Sequence, residues 1–116
     1  MQVLESSGRP CVDIVDHDSH GVRAWYLVRG GGVNVVRLHF APGGRLGRHP
    51  AGVSQLFAVV SGAGWVRGGD GRRRAIRAGQ GVLWDAGEEH ESGAEAEPMV
   101  AVVVQAPGLA PSAGPD

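Results

Sequence analysis

The apolar residues of this chain come in short runs, and glycine or proline interrupts each run before it reaches helical length. There are 20 glycines and 7 prolines in 116 residues. Both residue types punctuate turns and are poor in helix interiors. No window sustains the apolar period of an amphipathic helix. Instead, β-forming runs recur at roughly 8–12-residue spacing, the pattern of a sandwich or barrel. They cover residues 12–15, 22–28, 33–40, 54–60, 65–67, 73–77, 82–84 and 99–104, with a further strand passing through His90. Gly30-Gly31-Gly32 between two of these runs predicts a hairpin. Ala41-Pro42-Gly43-Gly44 and Ser61-Gly62-Ala63-Gly64 are expected to break strands.

The length suits one domain. We expect it to occupy residues 1–106, with a disordered Pro/Gly/Ala-rich tail over 107–116. Net charge is -1 and the pI is about 6.5, so no basic field is present to attract nucleic acid. All 11 basic residues are Arg, which points to a GC-rich, bacterial coding sequence rather than to a function. Cys11 is the one cysteine and makes no internal disulfide; a buried free thiol is expected. The first ten residues lack the layout of a secretion signal, and no apolar run approaches the ~18 residues of a membrane span. A cytoplasmic chain with no membrane partner is the expectation.

Two stretches carry chemistry. In the first, Gly43 is followed by five residues and His49, then Ala51, Gln55 and, six residues on, Gly62. In the second, Gly79 is followed by five residues and Asp85, then Gly87, His90 and Ala94. This pair resembles the two motifs of the cupin family, in which the first motif places His at the positions of His49 and Ala51 and Glu at that of Gln55. The second places Pro, Gly, His and Asn at the positions of Asp85, Gly87, His90 and Ala94. Spacing matches throughout; the four glycines and two histidines agree, while Ala51, Gln55, Asp85 and Ala94 depart. The match covers residues 43–94.

The resemblance implies an all-β fold, an antiparallel, jelly-roll-like β-barrel of cupin type, often a homodimer. In the family, three His and one Glu hold a divalent metal, so His49, Gln55 and His90 become the candidate ligands for a transition metal (Zn, Fe, Ni or Mn), held weakly or not at all. Ala51 brings no donor, and Gln55 brings an oxygen without charge. His49 and His90 are also the candidate catalytic residues, because imidazoles without a metal serve acid–base chemistry. Phe57 and Trp84, on the motif strands, are the candidate walls of a small-molecule pocket.

The residues therefore support a small-molecule-binding chain with a pocket around His49 and His90. Whether it is an enzyme stays open at this level. The missing donors weigh against a dioxygenase and leave isomerase, lyase or cyclase chemistry. The alternative is a non-catalytic ligand-binding or sensor domain that has lost tight metal binding. His17 and His20, in Asp16-His17-Asp18-Ser19-His20, read as a polar loop, and His39 as a hydrogen-bonded or surface strand histidine. Each is a candidate extra ligand. Glu88, Glu89 and Glu91 read as a solvated turn.

Overall fold

The computed structural model describes residues 1–115; Asp116, the end of the expected tail, lies outside them. Among the described residues, seven strands form one antiparallel sheet: β1 (Cys11–Asp13), β2 (His20–Gly30), β3 (Val33–Pro50), β4 (Gln55–Arg67), β5 (Arg73–Arg77), β6 (Gly81–Trp84) and β7 (Glu89–Gln105). A 3-10 turn, Asp16–Asp18, connects β1 to β2. Among the described residues no helix is long and apolar enough to cross a membrane.

The all-β, antiparallel expectation is met, but the closed barrel is not. The sheet runs β1-β2-β3-β7-β4-β5, with β6 on β4, and this path is open. Closure needs a continuous ladder between the outermost strands. Here β1 is three residues long and pairs only with β2, while β5 and β6 pair only with β4. The two ends of the sheet do not join.

The glycine-rich segments expected to end strands bend them instead. β3 continues through Ala41–Gly44 with a register shift between Phe40 and Arg45. β4 continues through Ser61–Gly64 with shifts on either side of the Ser61–Gly62 pair. Gly62 has φ 73, and a Cβ there would run into the Pro98 carbonyl oxygen, so only glycine lets β4 bend against β7 at this point. The β2–β3 hairpin forms as expected, with Gly31 and Gly32 both at positive φ.

Alternation along the strands sets the core. Val22 and Ala24, Val36, Leu38 and Phe40, Phe57 and Val59, and Met99, Ala101 and Val103 all bury one face. Leu46, Val66, Ile76 and Trp84 join the same cluster across the bends. Cys11 is exposed, not buried, because β1 is an edge strand with no layer above it.

Candidate functional site

His49 and His90 are brought together by strand register. β3 and β7 pair so that His49 stands opposite His90, and their ring centroids lie 4.3 Å apart. Regular alternation would put Leu46 and His49 on opposite faces. The register shift between them restores the match, so that His49 meets the inward-facing His90.

Each imidazole is oriented by a carbonyl two residues earlier in its own chain. His49 Nδ1–H donates to the Gly47 carbonyl at 2.6 Å, and His90 Nδ1–H donates to the Glu88 carbonyl at 3.1 Å. A carbonyl only accepts, so the proton sits on Nδ1 and the neutral ring keeps its lone pair on Nε2. His90 is 1 % exposed, and among the described residues its Nε2 has no hydrogen-bond partner. Burial pushes the His90 ring below the usual histidine range; the Glu88 hydrogen bond opposes this and the His49 ring adds to it. His90 is thus held neutral.

The two rings belong to a longer row. His17 stacks on His49 at 4.9 Å with 11° between the planes. On the other side, Trp84 lies 4.3 Å from His90, Phe57 is 5.5 Å from Trp84, and Phe40 is 5.9 Å from Phe57. A cleft of about 260 Å³ opens at the outer end of this row. His17, His49 and Gln55 line it, against an apolar side made by Val36, Leu38 and Leu46. His90, Trp84 and Phe57 do not line this cleft; they are buried in the core, His90 against the His49 ring and Trp84 and Phe57 successively beyond it.

In the sequence, His17 reads as part of a polar loop. Its arrival against His49 depends on a tertiary contact that sequence spacing does not reveal. His17 and Asp18 have φ 58 and φ 60, an uncommon region for non-glycine residues. The turn is seated on β3 at Gly47, whose N–H donates to Ser19 Oγ at 2.9 Å. A Cβ on Gly47 would collide with the His17 carbonyl oxygen. Glycine at the second position before His49 is the one local signal for this contact.

His39 Nε2 accepts from Arg37 Nε at 2.9 Å and its ring packs on Trp25, as a hydrogen-bonded strand histidine. It lines a separate and larger cleft of about 580 Å³ together with His20. That cleft lacks the paired, oriented imidazoles, so the smaller one is the candidate site. Glu91 is not solvated: it is 4 % exposed and is bridged by Arg45 at 3.1 Å and Arg67 at 2.6 Å. Glu88 caps the neighbouring turns, accepting from Gly69 and Asp85 N–H groups.

The donor set fits a tightly held metal poorly. Ala51 presents a methyl group, and Gln55 Oε1 already accepts from Gln105 Nε2 at 3.3 Å. Among the described residues, no three His, Cys, Asp or Glu side chains are placed to hold a metal ion. His49 and His90 alone fall short of the three or four protein ligands that such sites use, and His17 stacks on His49 without completing such a set.

A family model described as a cupin domain matches residues 36–105, more than half of the chain. No curated protein matches significantly. Solved structures do. A predicted oxalate decarboxylase from Thermotoga maritima is 21% identical, with a TM-score of 0.80 over 90% of this chain and 98% of that one. The polyketide cyclase RemF from Streptomyces resistomycificus is 14% identical, with a TM-score of 0.81 over 91% and 79%. An RmlC-like cupin from Shewanella frigidimarina is 17% identical, with a TM-score of 0.77 over 93% and 92%. At these identities the likeness speaks for the fold. With the family model spanning both histidine motifs, this chain belongs to the cupin family, in a form whose metal-binding motif is degenerate.

Proposed function

We propose that this chain binds a small organic molecule in the His49 cleft and that His49 acts on it as a general acid–base residue. His90 is the positioning residue behind it. The observation that carries this reading is the pair of contacting imidazoles, each with Nδ1–H fixed by a backbone carbonyl. Fixing Nδ1–H leaves Nε2 of a neutral ring as the proton acceptor. The apolar side of the cleft suits the body of an organic ligand, with the imidazole at one end. Isomerase-, lyase- and cyclase-type reactions need such proton transfers and no redox partner. A solved neighbour of similar fold is called a polyketide cyclase, which is the kind of chemistry this reading favours.

Proton abstraction can be tested before the natural substrate is known. The chain is incubated in D₂O with a panel of small carbon acids, and loss of the acidic C–H signal is followed by NMR. We expect catalysed exchange for part of the panel, falling by roughly 10²–10⁴-fold in His49→Ala. Exchange by the wild type that survives His49→Ala unchanged removes His49 from this role.

A further inference from the structure

Three side-chain amides lie side by side in the cleft, one from each of three adjacent strands. Asn34 on β3 stands opposite Gln105 on β7, and Gln105 stands opposite Gln55 on β4. Asn34 Nδ2 donates to Gln105 Oε1 at 3.2 Å, and Gln105 Nε2 donates to Gln55 Oε1 at 3.3 Å. All three line the same cleft as His49. Such cross-strand polar pairs hold one another in a single geometry.

The row has a direction. Each oxygen after Asn34 is occupied by the N–H of its neighbour, so the amide groups cannot turn over independently. At the far end, the oxygen of Gln55 is engaged and its NH₂ group is left to serve a ligand. Gln55 is 4 % exposed, so this group is held in place by its surroundings. The cleft offers no arginine, and Asp16 is the carboxylate on its lining. A carboxylate or phosphate ligand would meet that negative charge with no guanidinium to offset it.

We infer that the Asn34–Gln105–Gln55 row is a fixed hydrogen-bond donor for a carbonyl oxygen, and that the cleft selects uncharged carbonyl compounds over carboxylates. This rests on the acid–base reading of His49 and names its substrate class. When His49 Nε2 takes a proton from the carbon beside the carbonyl, the C–H electron pair becomes the C=C bond of an enolate. The negative charge then moves to the oxygen, and the NH₂ group of Gln55 is the donor that would meet it. Return of the proton to another atom completes an isomerisation with no oxidant or reductant. A neutral donor aimed at the developing charge does this work without a metal.

Benzamide and benzoate are matched probes, alike in shape and different in charge. In ¹H–¹⁵N spectra of the full chain, benzamide is expected to shift the Gln55 side-chain amide signals along with cleft backbone signals, and to bind at least tenfold more tightly than benzoate. Gln105→Glu supplies a second arm. A carboxylate there only accepts, so Gln55 must turn its N–H toward it and present its own oxygen to the cleft. Benzamide affinity is expected to fall about tenfold, the loss of one hydrogen bond. Benzoate binding as tightly as benzamide overturns the amide reading and leaves the cleft standing, as does benzamide binding that leaves the Gln55 side-chain signals unmoved. If neither probe perturbs cleft residues, both readings fail. The wild-type comparison holds whether or not the variant folds.

Discussion

At the scale of single residues, the site is defined as much by what its imidazoles are denied as by what they touch. His90 is walled in by His49 and Trp84 with Nε2 unpaired, and burial keeps it neutral. Its value in the folded chain lies below the ordinary 6.5, so the unfolded chain takes up the proton first as pH falls. Stability from this residue is therefore complete above about pH 6.5 and is lost progressively below it. His39, lowered by burial and by Arg37, acts in the same direction. Unfolding midpoints at pH 7.5 and 5.5 should drop more for the wild type than for His90→Gln; an equal drop would mean that His90 is not held neutral. The donor deficit makes a second prediction. Ala51→His combined with Gln55→Glu restores the family's ligand types beside His49 and His90. Zn²⁺ affinity by calorimetry should rise by roughly tenfold or more, about 1.4 kcal/mol. An unchanged affinity would mean that positions 51 and 55 do not face the two imidazoles.

At the scale of elements, the contact between the Asp16–Asp18 turn and β3 decides whether His17 belongs to the site. Gly47→Ala places a methyl where the His17 carbonyl oxygen lies, and the turn must lift away. We expect a loss of about 1–3 kcal/mol in urea unfolding, the usual cost of a forced clash, together with loss of the His17–His49 ring contact in NOE spectra. Ser19→Ala removes the acceptor of the buried Gly47 N–H and should cost about 1–3 kcal/mol by the same measurement. Both variants at wild-type stability would show that the turn is not seated on β3. The strands themselves were largely legible in the sequence. Residues 73–77 match β5 end for end, and the Gly30–Gly32 hairpin forms where expected. The bends were not, because a glycine pair that ends one strand and a glycine pair that kinks a continuous one look alike until the partner strand is known. Ala41–Gly44 and Ser61–Gly64 are both of the second kind. The His49–His90 pair was legible through motif spacing. The arrival of His17 and the alignment of Asn34, Gln105 and Gln55 were not, since both follow from contacts between residues distant in sequence. The placing of Phe57 and Trp84 behind His49 likewise depends on which side of the ring row opens to solvent.

At the scale of the molecule, three long strands, β3, β4 and β7, carry both the core and the site, while the short outer strands leave the sheet open. Because β7 pairs with β3 on one edge and with β4 on the other, one strand positions His90 against His49 and Gln105 against Gln55. The proposed chemistry depends on the geometry of the two imidazoles at that junction. Long-range ¹H–¹⁵N correlation of the histidine rings at pH 7.5, together with ring-to-ring NOEs, examines it directly. The predicted result is a neutral His90 with its proton on Nδ1 and cross-peaks to the His49 ring. A His90 protonated on Nε2, or rings without mutual NOEs, would contradict it.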